Sequence, residues 1–250
     1  EKDYIQYISE TSTDCRLLLF SNHGNCYGIN CHDLPEGKWR DRGEHISTVI
    51  GNLELGENIV GMVSVKDFCE DKFIQFYTRE GVIKKTKLSE FNSKNTKIQA
   101  CKLRDDDTII RAELVYGDRD VMLITKNGMG IKFSGEEVND TGRATIGVKG
   151  ISLKEGDCVV GGYEIYDEDG QLLCVSDNGY MTQTNIQDHI RQGRGGVGFR
   201  VFRFTKNGSR GNVLVNVFYV THPLDVIIRG SDGIDYRESA QSITKGGRPG

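Results

Sequence analysis

Five stretches of this chain share one pattern: an apolar, strand-like run, a polar turn with glycine in its fourth place, and a second run. They are "LLLFSNHGNCYGI", "FIQFYTREGVIKK", "VMLITKNGMGIKF", "LLCVSDNGYMTQT" and "DVIIRGSDGIDYR". Their turn glycines, Gly24, Gly81, Gly128, Gly179 and Gly233, are spaced 57, 47, 51 and 54 residues apart. Glycine supplies the positive φ that a tight hairpin asks for, so each stretch predicts a β-hairpin. A second marker keeps the same step. "LELGENIV" from Leu53, "LRDDDTII" from Leu103 and "LKEGDCVV" from Leu153 lie 50 residues apart, and each runs into an apolar strand. A fourth copy is blurred by "TKNGSRGN" ahead of "VLVNVFYV". Units of this length with several short strands each predict an all-β, propeller-like ring of about five to six four-stranded blades.

The repeats divide the sequence roughly at 14–70, 71–118, 119–169, 170–222 and 223–250. No low-complexity linker interrupts them, so the expectation is one domain spanning 1–250. The opening "EKDYIQYISETSTD" precedes the first hairpin and "TKGGRPG" stops inside the fifth unit, which suggests a domain excised from a longer chain. Three Pro against 31 Gly fit strands joined by tight turns. No apolar stretch approaches the roughly 20 residues of a membrane span, and no signal-peptide pattern opens the chain. A soluble, cytoplasmic protein is expected.

The seven cysteines are odd in number, irregularly spaced and mostly set in apolar runs such as "LLCVS". Reduced, buried thiols fit that better than a disulfide framework. His23, Cys26, Cys31 and His32 could all ligate zinc, but their spacing matches no known ligand pattern, so no metal is expected.

Charge is distributed against its total. The chain carries net charge -4, yet residues 191–210, "RQGRGGVGFRVFRFTKNGSR", hold six Arg or Lys and no acid. From Arg79 to Arg104 eight bases meet two acids. Both stretches are locally +6. Fourteen residues after the turn glycine, Gly142-Arg143, Gly193-Arg194 and Gly247-Arg248 occupy one position in three successive repeats. The second repeat has Asn95-Thr96 there, and the first has the longer loop "GKWRDRGEH" with Lys38, Arg40 and Arg42. Equivalent positions on a ring lie along its rim, so a cationic belt is expected where backbone N–H groups and guanidinium forks meet phosphates. The candidate DNA-contacting residues are Lys38, Arg40, Arg42, Lys84, Lys85, Lys87, Arg143, Lys149, Arg191, Gln192, Arg194, Gly195, Gly196, Arg200, Arg203, Lys206, Arg210, Lys245 and Arg248.

These residues resemble the C-terminal domain of the A subunit of bacterial type IIA topoisomerases, DNA gyrase and topoisomerase IV. That family's box reads Q-R-R-G-G-K-G. Gln192-Gly193-Arg194-Gly195-Gly196-Val197-Gly198 matches it at Gln, at the second Arg and at the three Gly. "TGRATIGVKGISLKEGD" and "REGVIKKTKL" are similar too, and the likeness covers nearly the whole chain. It implies a β-pinwheel whose blades exchange strands and whose basic perimeter bends duplex DNA for strand passage. It also implies partners: an N-terminal breakage-reunion region carrying the nucleophilic Tyr, and an ATPase B subunit. No cofactor belongs to this domain, since ATP and Mg serve the full enzyme, and a bacterial, nucleoid-associated location follows. Gly193 and Val197 depart from the box by losing two charges, and the box sits in the fourth visible repeat rather than the first blade. The loop "LPEGKWRDRGEHIS" looks more like topoisomerase IV of Gram-positive bacteria, while the fourth and fifth repeats look more like gyrase, and topoisomerase IV is slightly favoured of the two.

A different class of function is a propeller-like scaffold for protein partners, suggested by acidic stretches such as "YEIYDED" and by Trp39 in its loop. An enzyme binding a nucleotide through Gly193, Gly195 and Gly198 fails on context. "FRVFRF" follows the glycines as strand rather than helix, and the next acid, Asp225, is 27 residues past Gly198. None of the ten Tyr can be given a catalytic role, and no catalytic constellation stands out.

Overall fold

The computed structural model describes residues 5–38, 40–51, 53–104, 106–229, 235–239 and 243. The hairpins form where glycine allows the chain to reverse. Gly24, Gly81, Gly128 and Gly179 have φ of +82, +77, +78 and +79°, a region that side chains with a Cβ avoid. Gly233 lies outside the described residues.

The first repeat gives β1 (Arg16–Ser21), β2 (Asn25–Asn30), the short helix α1 (Ser47–Ile50) and β3 (Ile59–Val65). The second gives β4 (Phe73–Thr78), β5 (Val82–Lys87), β6 (Lys97–Gln99) and β7 (Ile109–Val115). The third gives β8 (Asp120–Thr125), β9 (Met129–Ser134), β10 (Val148–Lys149) and β11 (Val159–Ile165). The fourth gives β12 (Gln171–Ser176), β13 (Met181–Asn185), β14 (Phe199–Arg200) and β15 (Leu214–Val220), followed by the hairpin β16 (Asp225–Arg229) and β17 (Asp235–Ser239). The protein is all-β, and α1 is the one α-helix among the described residues. No helix among them is long and apolar enough to cross a membrane.

Strand order within the sheets shows exchange between repeats. The sheets run β3-β1-β2-β6, β10-β5-β4-β7, β11-β8-β9-β14, β13-β12-β15 and β16-β17. In each four-stranded sheet three antiparallel strands come from one repeat, and the short fourth is lent by the repeat after it. The third strand shifts register beside the turn, at Phe20/Ser21, Tyr77/Thr78 and Val175/Ser176. A bulge there twists the strand locally.

The chain gathers into two compact units that interleave in sequence. One holds Glu1–Thr78, Ile83–Gly117 and Asn139–Val148; the other holds Arg79–Val82, Asp118–Val138 and Lys149–Gly250. The core of the first centres on Phe20, Phe76 and Phe91 with Leu18, Ile74 and Ala112. Phe20 meets Phe76 and Phe91 edge-on at 5.5 and 5.4 Å, a geometry worth about 0.5–1.5 kcal/mol per pair beyond area burial. The core of the second packs Met122, Ile124, Leu172, Cys174, Phe202 and Val217. All seven cysteines are free thiols. Burial pushes Cys26 and Cys174 up to about 12 and Cys101 up to about 11.

The marker at Leu53, Leu103 and Leu153 acquires a structural meaning. Four residues on from each leucine stands a buried carboxylate: Glu57, Asp107 or Asp157. Glu57 accepts from Ser21 Oγ, Asn25 Nδ2 and Tyr27 OH at 2.5, 2.7 and 2.9 Å, and from the Glu54 backbone N–H at 2.9 Å. Asp157 accepts from Thr125 Oγ1 at 2.7 Å and from the backbone N–H of Asn127 and Cys158 at 3.0 and 2.9 Å. Glu57 and Asp157 thereby clamp the hairpin turns of their own repeats. Burial works against the charge of Glu57, but the four hydrogen bonds prevail and hold its pKa down at about 2.

Candidate nucleic-acid interface

The glycine-rich box is an excursion from the edge of β9. Arg191 lies beside Lys132 in a parallel bridge, and the Gln192 N–H donates to the Lys132 carbonyl at 2.7 Å. The chain then leaves the sheet over 193–198 and returns as β14, pairing Phe199 with Gly130 and Arg200 with Met129. The preceding repeat does the same at β5: Lys85 bridges Asp140, Thr141 N–H donates to the Lys85 carbonyl at 2.9 Å, and the chain returns as β10. The return requires glycine. A Cβ on Gly198 would collide with the Gly130 carbonyl, and one on Gly147 with the Ile83 carbonyl. His189, buried beside Thr184, stacks on Phe199 at 5.1 Å.

The two described Gly-Arg pairs have matching surroundings. The Arg194 backbone N–H donates to Glu137 Oε2 at 2.8 Å, and that of Arg143 donates to Glu90 Oε2 at 3.2 Å. Arg194 Nε donates to the Glu137 carbonyl at 3.0 Å and its Nη1 to the Lys149 carbonyl at 2.6 Å. Arg143 Nη1 donates to the Gln99 carbonyl at 3.3 Å, while its Nε lies 3.9 Å from Glu90 Oε2. Both side chains are half-buried.

A family model described as "DNA gyrase C-terminal domain, beta-propeller" matches residues 16–66, 76–115, 119–162 and 170–216, one segment in each of the four repeats. The chain belongs to this gyrase family. It is 32% identical over 248 residues to the A subunit of DNA gyrase from Chlamydia muridarum, covering 98% of this chain and 29% of that protein. It is 34% identical over 250 residues to the corresponding protein of Helicobacter pylori, covering 99% of this chain and 30% of that protein. The chain therefore spans less than a third of the length of these relatives. Among solved structures, the C-terminal domain of DNA topoisomerase IV superposes with a TM-score of 0.87 at 26% identity, covering 94% of this chain and 73% of that one. The DNA gyrase A C-terminal domain superposes with a TM-score of 0.74 at 28% identity, covering 95% and 76%.

Against this family background, the expected contact residues divide sharply. Lys84 and Lys85 require correction: they are 1% and 6% exposed and are not surface groups. Lys84 Nζ donates to the carbonyls of Ala100 and Arg143 at 2.8 and 2.6 Å, and burial pulls its pKa down to about 8. Lys85 Nζ donates to the Gly117 carbonyl at 2.7 Å and lies 5.2 Å from the Phe73 ring centre. Both sit on β5, whose first five residues are all buried. Lys87, half-buried, pairs with Glu70 at 3.4 Å. Arg191 makes a two-pronged contact with the buried Asp120, Nη2 to Oδ1 at 2.6 Å and Nε to Oδ2 at 3.2 Å.

Gly195 gives its N–H to the Gly150 carbonyl at 2.9 Å, and the Gly196 carbonyl accepts from Ser152 N–H at 2.8 Å. These contacts hold the excursion itself, which corrects the expectation that the Gly195 N–H is open to phosphate. Lys149, Gln192, Arg200, Arg203, Lys206 and Arg210 are exposed, as are Lys38, Arg40 and Arg42 in the loop of the first unit. Arg210 lies over the Tyr180 ring at 5.4 Å. Among the described residues no ion pair engages Lys149, Arg200, Lys206 or Arg210. Trp39, Lys245 and the Gly247-Arg248 pair lie outside the described residues.

Sequence reasoning missed the buried Lys132, whose Nζ reaches Glu168 at 2.7 Å and Asp120 at 3.7 Å. It also missed Glu90 and Glu137, each nine residues after its turn glycine, a repeat signal present in the sequence. The four possible zinc ligands do not assemble: Cys26 is in the core, Cys31 lies 3.5 Å from Thr11 Oγ1, and His32 pairs with Asp33 at 3.4 Å.

Proposed function

We propose that this chain is the DNA-binding accessory domain of a type IIA topoisomerase, which bends or wraps duplex DNA and presents it for strand passage. The observation that carries this reading is the exposed cation set of Lys149, Arg200, Lys206 and Arg210, outside any described ion pair, in a member of the gyrase C-terminal domain family. Lys38, Arg40 and Arg42 extend the set. Such groups meet the phosphate backbone and carry no base code, so recognition follows shape and charge. Bending a 20–30 base-pair site by 40–90° costs about 1–6 kcal/mol. Charge-assisted hydrogen bonds at about 1.5–3 kcal/mol each offset that with a few contacts. Breakage and reunion, with ATP and Mg, are assigned to the other regions and the partner chain of the holoenzyme. The TM-score of 0.87 against 0.74 supports topoisomerase IV as that holoenzyme, and the identities of 32–34% to gyrase relatives support gyrase.

The test is a titration of duplex DNA at several salt concentrations, with a relaxed-plasmid assay in the presence of a nicking-closing enzyme. Affinity should fall about a thousandfold between 50 and 200 mM salt for about six phosphate contacts. Trapped writhe indicates wrapping of the gyrase kind, and binding without writhe indicates bending alone. A flat salt response removes the proposal.

A further inference from the structure

The two described Gly-Arg pairs share a contact pattern that a phosphate ligand would not need. In each, a glutamate on the 3-10 turn of the preceding repeat accepts the arginine's backbone N–H: Glu137 for Arg194 and Glu90 for Arg143. In each, the guanidinium reaches the carbonyl that ends the exchanged strand before its own. Arg194 precedes β14 and binds Lys149 at the end of β10; Arg143 precedes β10 and binds Gln99 at the end of β6. Neighbouring backbone bonds follow the same repeat, with Ser152 N–H to the Gly196 carbonyl at 2.8 Å matching Lys102 N–H to the Thr145 carbonyl at 3.0 Å. The second repeat has Asn95-Thr96 in place of Gly-Arg, and among the described residues no exchanged strand precedes β6 for an arginine to hold.

We propose that Gly-Arg is a latch that ties each exchanged strand to the one before it, and that it positions the DNA-contacting cations without itself binding phosphate. This rests on the DNA-binding reading for what the latch serves. Arg194 already commits Nε and Nη1 to two carbonyls, which fixes its fork toward the scaffold, and a carboxylate accepting its own backbone N–H would repel an incoming anion. Lys149, whose carbonyl the latch holds, and Arg200, on the strand that the excursion delivers, are the cations it positions. Lys84 reinforces the first copy from below by donating to the Arg143 carbonyl.

Lysine separates the two roles, because it keeps the charge but lacks the rigid fork whose Nε and Nη1 reach the Glu137 and Lys149 carbonyls from separate nitrogens in fixed directions. The full chain would be compared with Arg194→Lys, Arg194→Ala and Arg200→Ala by native-state amide exchange and by the salt dependence of duplex binding. A latch predicts that both Arg194 variants speed exchange at Ser152 and Gly195 by about tenfold or more. The two Arg194 variants should share one salt slope, because the lysine charge does not restore the latch, while Arg200→Ala lowers the slope by about 0.9 with exchange unchanged. The proposal is overturned if Arg194→Ala lowers the slope by about 0.9, Arg194→Lys restores it, and exchange stays at the parent rate. Should Arg194→Ala not fold, Glu137→Ala carries the test: faster exchange at Gly195 supports the latch, and unaltered exchange overturns it. If the parent chain does not bind duplex DNA, the DNA reading falls and the exchange measurement alone decides the latch.

Discussion

Residues 79–104 and 191–210 carry the same local charge of +6 in sequence, and the fold withdraws two cations of the first from solvent but none of the second. In the first stretch Lys84 and Lys85 are buried and bound to backbone carbonyls, Lys87 pairs with Glu70, and Lys97 pairs with Glu54 at 2.8 Å. In the second, Arg191 and Arg194 are held by the scaffold while Arg200, Lys206 and Arg210 stand exposed. Cations on a regular strand of a covered hairpin are taken inside with it, and those after a glycine-rich excursion stay out. A count of charge is therefore not a count of surface charge: Lys84 and Lys85 are withdrawn from the field that a polyanion would meet, while Arg79, Lys94, Lys102 and Arg104 of the same stretch stay exposed.

The comparison breaks most visibly at Lys84. Replacing it with Ala strands two carbonyls and opens space, so Lys84→Ala should cost about 2–4 kcal/mol in chemical denaturation. Its DNA salt slope should match the parent's. A stability change below about 0.5 kcal/mol would mean that Lys84 is a surface group after all.

The acids sharpen the contrast through pH. Glu57 is held at about 2 in the folded chain against an ordinary 4.5. A depressed carboxyl contributes stability that is complete above its unfolded pKa and is lost as pH falls through the folded one. The denaturation midpoint should therefore decline between pH 4.5 and 2, and Glu57→Gln should flatten that part of the decline. The same slope in parent and variant would show that the clamp does not depend on the charge.

The smallest effect on stability belongs to the exposed cations. The double variant Lys206→Ala, Arg210→Ala should denature within about 0.5 kcal/mol of the parent while its DNA salt slope drops by about 0.9 for each side chain lost. If stability falls and the slope does not, the exposed set is structural and the two stretches are alike.

Much of the architecture was legible because hairpins announce themselves locally. Four of the five predicted turns have glycine at positive φ in the described residues, and the step of 50 residues at Leu53, Leu103 and Leu153 marks the buried carboxylate of each repeat. The exchanged strands were not legible in the residues themselves. β10 and β14 are two residues long, too short for an alternating pattern, and their partners are fixed by glycines that admit a carbonyl. The excursion was found by its composition, but the duties of Arg143, Arg194, Glu90 and Glu137 depend on contacts 44 to 57 residues apart in sequence.

The sequence by itself determined the repeating hairpins, the all-β class and the family, because turn chemistry and periodic apolar runs act over a few residues. Tertiary structure alone decided which cations face solvent. A lysine ammonium costs too much to bury without partners, and the carbonyls of Ala100, Arg143 and Gly117 that receive Lys84 and Lys85 lie 16 to 59 residues away in sequence and meet them only in the folded chain.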